Sequence, residues 1–245
     1  MNTSRKTAVM VGVLYIIGTV AGVLSVVFTG PVLDGPDVLA NVGANAGPLT
    51  IGALLVLLMG LALAMVPVLL FPIFRKVNEV LAVGYIVFRG ALETVSCIAL
   101  VSLWLLLIVV GQQYAAGGTS VAQYLRPVAA LLRDGGDAIN PIGTFVFSLG
   151  ALMLYTMLYR SQLVPRWISI WGFIAILLHL ARGFLVMFHL MSTFSAIDTV
   201  VNLPIALQEM VMAVWFIAKG FEPSAVAASS APAGFVSVPA QPALS

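Results

Sequence analysis

Charge is what this chain has least of. Of its 245 residues 8% are Asp, Glu, Lys or Arg and 61% are hydrophobic, whereas a soluble domain carries about 25% charged residues. That scarcity excludes an ordinary water-facing surface. The net charge of +2 is small and gathered on a few loops, so it bears on membrane orientation and no nucleic-acid partner is expected. The single cysteine, Cys97, excludes an intrachain disulfide, and within an apolar run it is a small packing residue. Histidine is almost as rare. His179 and His189 stand roughly 15 Å apart along a helix, too far to ligate one ion or sandwich one haem. There is no His-Glu-x-x-His run and no nucleophile set beside a base. No catalytic residue, metal site or cofactor is therefore expected, and an intramembrane enzyme is the weakest of the functional readings.

What the chain does have is long apolar sequence. Its runs repeatedly reach the roughly 20 residues that carry a helix across a bilayer, whereas barrel strands would be short and alternating. The expected fold is all-α: a polytopic helical membrane protein with spans near 8–29, 49–73, 81–110, 139–158, 167–190 and 197–218. Arg5 and Lys6 ahead of the first run resemble a signal peptide. That run is too long, and no small-residue cleavage site clearly ends it, so it is kept as a span. Gly18 and Gly22 permit close helix approach in span one, and Pro67 and Pro72 can kink span two.

Basic residues set the orientation. Arg5, Lys6, Arg75, Lys76, Arg160, Arg166 and Lys219 fall on one side of the six spans. The opposite loops hold Arg126 and Arg133, balanced by Asp34, Asp37, Asp134 and Asp137. The positive-inside bias makes the first side cytoplasmic, with both termini on it. Between spans three and four, Thr119 and Ser120 can cap an outer interfacial helix carrying Val121, Leu125, Val128, Leu131 and Leu132. Pro127 kinks that helix, and Gly135 and Gly136 stop it. Residues 1–221 form the six-span domain. Residues 222–245, rich in Ala, Ser, Pro and Val, are expected to be a disordered cytoplasmic tail.

Against this apolar background four ionisable residues stand out: Arg89 and Glu93 in span three, Arg182 in span five and Glu209 in span six. Each costs roughly 2.5 to 3.5 kcal/mol at a helix centre on an insertion scale. Tyr85, Arg89, Glu93 and Ser96 share one helical face, and Arg89 can pair with Glu93 on its own helix. Asp198, Asn202 and Glu209 form a second stripe. His179 and Arg182 lie about 60° apart at helical pitch, so both can face one neighbour. Counting from the helix ends, Glu93, Glu209 and His179 each lie about twelve residues, roughly 18 Å, into their spans. Arg182 is a turn further out and Arg89 a turn below. Arg89, Glu93, His179, Arg182 and Glu209 can thus form one midplane cluster, supported by Tyr85, Asp198 and Asn202.

Three local patterns carry a resemblance. They are Arg89 with Glu93; Tyr159, Arg160 and Ser161 through Pro165, Arg166 and Trp167 to Trp171 and Gly172; and Gln208, Glu209, Trp215, Lys219, Gly220 and Phe221. Together they resemble a bacterial domain-of-unknown-function family of small six-span membrane proteins, over roughly residues 5–221. The resemblance implies a six-span fold and a bacterial inner membrane, and no activity. A short match between Ala91–Glu93 and Ala206–Glu209 raises an inverted duplication, as in many transporters, but the preceding spans do not correspond.

Two uses of the buried charges compete. They line a cavity that binds or transports a small polar or amphipathic solute or a proton, as intramembrane ionisable residues commonly do. Alternatively they form a packing network in a structural or regulatory subunit of a membrane complex. The expected surroundings are the lipid bilayer and, on the first reading, a small-molecule ligand.

Overall fold

A computed structural model describes residues 3–35, 37–191 and 196–225. In chain order these form α1 (Thr3–Leu33), α2 (Val38–Ala44), α3 (Ala46–Phe74), α4 (Glu79–Tyr85), a π-helical segment (Ile86–Leu92), α5 (Glu93–Gly117), α6 (Thr119–Ser161), α7 (Arg166–Met187) and α8 (Ala196–Ala218). The described residues are all-α. Among the described residues six helices are long and apolar enough to cross a membrane: α1, α3, the continuous run from α4 to α5, α6, α7 and α8.

Burial follows from the composition. The main core gathers Tyr15, Val66, Leu70, Phe74, Tyr85, Leu154, Tyr155, Ile168, Met212 and Phe216 from the spans. A smaller cluster of Val32, Leu39, Val42, Leu49, Leu107 and Ala129 closes the end where α2 lies. The outward faces stay apolar as well, with Val27, Leu54, Leu61, Val95, Ile174 and Val214 exposed. A helix apolar all round suits lipid and not water.

Small residues set the helix distances. A Cβ at Gly18 would lie 2.6 Å from Leu63 Cγ, and one at Gly22 would lie 2.9 Å from Met59 Sδ. These two glycines therefore seat α1 against α3. At Gly12 a Cβ would lie 2.6 Å from the Ala213 carbonyl oxygen, so α1 meets α8 backbone to backbone. Arg5 locks that pairing at its end. Its guanidinium donates to the carbonyls of Phe216 (3.3 Å), Ile217 (2.7 Å) and Ala218 (3.1 Å), which have no partner within a terminating helix.

The structure departs from the sequence expectations at several points. The separate interfacial helix ending at Gly135 and Gly136 is instead the first part of α6, one 43-residue helix running through Pro127, Gly135, Gly136 and Pro141. Packing outweighs the roughly 1 kcal/mol cost of each helical glycine. A Cβ at Gly135 or Gly136 would sit 3.3 or 3.4 Å from Leu103 or Leu100, so the pair lets α5 and α6 close up. The cap also differs: Gly118 at φ 63 precedes α6, and Ser120 Oγ donates back to the Gly117 carbonyl.

The segment after α1 holds α2, a helix too short to stand out in the hydropathy pattern. Asp37 caps it by accepting from Ala40 N–H at 3.2 Å, and Arg126 pairs with the same carboxylate at 2.9 Å. Span five ends at Met187, and His189 beyond it takes the left-handed conformation at φ 57. Of the expected tail, residues 222–225 are described: Glu222 N–H donates to the Leu163 carbonyl, and Ala225 packs on the core. Residues 226–245 lie outside the described residues.

Candidate functional site

The third span is not a plain α-helix. Between α4 and α5 it widens into π-helical geometry, with Glu93 N–H reaching back to the Phe88 carbonyl, and such segments recur at functional sites. Two glycines let neighbouring helices approach closely here. A Cβ at Gly150 of α6 would lie 3.2 Å from Arg89 N, and one at Gly90 would lie 3.5 Å from Pro67 of α3. The π-helical segment is thereby wedged between two helices, with Arg89 directed into the bundle.

Arg89 there binds two acids. Its NH1 donates to both carboxylate oxygens of Glu93 at 2.8 Å, and its NH2 donates to Glu209 Oε1 at 3.3 Å. The Arg89 side chain is 3% exposed, against 15% for Glu93 and 14% for Glu209. Aromatic rings cover the guanidinium, whose carbon lies 4.6 Å from the Phe147 ring centre and 5.9 Å from that of Tyr15, within cation–π range. Tyr15 in turn shares a 3.2 Å hydroxyl contact with Tyr85.

Arg182 does not join this group. Its Nε and NH2 pair with the two carboxylate oxygens of Asp198, while NH1 donates to Asn140 Oδ1 at 3.1 Å and Thr144 Oγ1 at 2.8 Å. The single expected cluster is thus two centres. Depth explains the split: Asp198 enters at the start of α8, on the level of Arg182 near the end of α7, while Glu209 lies three turns deeper. Between the centres stands His179, whose Nδ1 contacts Asn202 Oδ1 at 2.7 Å and whose ring packs edge-on against Phe147 at 5.1 Å. Asn202 then donates to the Asp198 carbonyl at 2.9 Å. The predicted residues are linked through Phe147, and they do not share one charge cluster. Ser96 stays outside both centres and bonds its own helix at Leu92.

Sequence reasoning passed over Tyr15, Asn140, Thr144, Phe147 and Tyr155. Asn140 and Thr144 carried a signal, since they sit four residues apart on one helical face. A tyrosine in an apolar span is a weaker one: when buried, its hydroxyl needs a partner. The Tyr155 hydroxyl finds one in Gln208 Oε1 at 2.7 Å, and Gln208 Nε2 donates to the Ile168 carbonyl at 3.1 Å. Outside the second centre, a cleft of about 660 Å³ opens between α6 and α7, lined among others by Asp134, Asp137, Pro141, Val186 and His189.

The family model described as Domain of unknown function (DUF4386) matches residues 10–220. The chain belongs to the DUF4386 family. The matched region of this DUF4386 protein runs from within α1 to just past α8 and takes in both polar centres. No curated protein and no solved structure matches it.

The two centres differ in charge balance. Arg182 and Asp198 make a neutral pair with two further polar partners. Arg89 faces two carboxylates, so the ionised centre carries one negative charge in excess.

Proposed function

We propose that this DUF4386 protein is a multi-pass protein of the bacterial inner membrane that binds and translocates a small polar or charged species, a solute or a proton, through the Arg89–Glu93–Glu209 centre. The observation that carries the reading is the acid excess. A packing network has no use for an unbalanced charge in low dielectric, where each uncompensated ion costs several kcal/mol. A centre that must load and release a cationic species needs one. The neutral Arg182–Asp198 pair, by contrast, ties α6, α7 and α8 together as structure.

The orientation that goes with this reading puts Arg5, Lys6, Arg75, Lys76, Arg160, Arg166 and Lys219 in the cytoplasm. Both termini are inside, and the first part of α6 lies at the outer interface. Arg5, Arg75 and Arg160 stand in or beside the ends of α1, α3 and α6, as a shared cytoplasmic edge requires. The cleft beside Asp134, Asp137 and His189 then faces outward, above the second centre.

Cysteine accessibility tests the reading. In a Cys97→Ser background, single cysteines at positions flanking Glu93 and Glu209 are labelled from either side with a membrane-impermeant thiol reagent. A translocating centre predicts labelling of at least one position from one side. Full protection at every position and pH would leave the packing network as the account.

A further inference from the structure

We infer that the species loaded at the Arg89 centre is a proton, and that Glu209 and not Glu93 carries it; this rests on the translocation reading above. Space argues for the proton. The guanidinium is 3% exposed, with the Phe147 ring centre 4.6 Å and the Tyr15 ring centre 5.9 Å from its carbon. An organic cation would have to displace these rings. A metal ion is no better served, since among the described residues no three His, Cys, Asp or Glu side chains gather to hold one.

The asymmetry between the acids argues for Glu209. Glu93 engages Arg89 through both oxygens at 2.8 Å from the next turn of the same run, a fixed intrahelical pair. Glu209 offers one oxygen at 3.3 Å from another helix, and its Oε2 has no hydrogen-bond partner among the described residues. Gln208 beside it is anchored to Tyr155 and Ile168, so the carboxylate is held in place while its second oxygen stays open. The groups facing it are Arg89 and Glu93 from the third span, Tyr15 from α1, Tyr85 from α4 and Tyr155 from α6. His179 of α7 lies beyond Phe147 and is engaged with Asn202. Glu93 repels the Glu209 charge and Arg89 attracts it, but Glu93 has already taken the better half of the guanidinium.

In the loading step, a proton from the aqueous phase bonds to Glu209 Oε2, and the carboxylate becomes a neutral carboxylic acid. The centre passes from one excess negative charge to neutrality, and Arg89 keeps its pair with Glu93. Release returns the proton to water and restores the excess charge.

Infrared difference spectra of the full chain in lipid bilayers, stepped from alkaline to acidic pH, read this directly. The expected result is a carboxylic-acid carbonyl band that appears on acidification, disappears in Glu209→Gln and returns in Glu209→Asp. In Glu93→Gln the band should move to lower pH, because Glu209 becomes the sole counter-ion of Arg89. A band that survives in Glu209→Gln, or no band in the wild type, would overturn the inference. Internal-pH dye in vesicles carrying the same protein, under a potassium diffusion potential, separates the two claims. A Glu209-dependent band without proton movement leaves the proton site standing and removes the translocation reading.

Discussion

The Tyr155 hydroxyl donates a 2.7 Å hydrogen bond to the side-chain carbonyl of Gln208, one residue before the acid that faces Arg89. Both side chains are fully buried. Tyr155→Phe removes the donor and leaves a buried amide oxygen short of its partner, a loss of about 1 to 3 kcal/mol. Thermal melting of the purified protein should fall accordingly, and α8 should hold Glu209 less firmly. An unchanged melting temperature would mean that the bond does not anchor α8.

The Arg182–Asp198 pair should behave as structure. Its two side chains are each 5% exposed, so replacing either alone strands a buried charge at about 3 to 5 kcal/mol. Arg182→Met and Asp198→Leu should each lower the melting temperature sharply, and the double variant should recover much of the loss. A double variant as unstable as the sum of the singles would show that the two residues do not act as a pair.

How much of this could be seen in the chain divides along physical lines. The six apolar helices were legible because desolvation of twenty consecutive residues leaves few alternatives. Arg89, Glu93, Arg182 and Glu209 were conspicuous for the same reason. The Arg89–Glu93 pair was visible as well, from its i,i+4 spacing, but the Arg182–Asp198 pair was not, because depth counted along ideal helices put Arg182 beside Glu93 and Glu209 and gave Asp198 only a supporting place. The π-helical segment at Ile86–Leu92 has no composition of its own. It lies where Gly90 faces Pro67 of α3 and Gly150 of α6 faces Arg89, contacts that no sequence pattern announces. The continuity of α6 through Gly135 and Gly136 was hidden as well, since those glycines are stops in isolation and contacts in the bundle.

Gly150→Ala tests that wedge. The added methyl would lie 3.2 Å from Arg89 N and 3.3 Å from Arg89 Cβ, so α6 or the π-helical segment must give way, at about 1 to 3 kcal/mol. The expected outcome is a lower melting temperature together with a shift in the pH at which the Glu209 carbonyl band appears. A loss of stability with that band unmoved would separate Gly150 from the positioning of Arg89.

Arg5 offers a test at the far end. Arg5→Lys keeps the positive charge but loses the fork that reaches the Phe216, Ile217 and Ala218 carbonyls. Topology, read by a reporter fused at either terminus, should be unchanged, while stability drops by about 1 kcal/mol. An inverted topology in Arg5→Lys would mean that geometry as well as charge sets the orientation.

The most direct test compares the melting of Glu93→Gln with that of Glu209→Gln in one detergent at neutral pH. If Glu93 fixes Arg89 and Glu209 is the surplus acid, Glu93→Gln lowers the melting temperature, because Arg89 exchanges two 2.8 Å charged contacts for a weaker amide contact and keeps only the 3.3 Å contact to Glu209, a loss of about 1.5 to 3 kcal/mol. Glu209→Gln should leave it unchanged or raise it, because the excess charge is held at a cost to stability for function. Equal large losses in both variants would contradict the account and return Arg89, Glu93 and Glu209 to the role of a packing network.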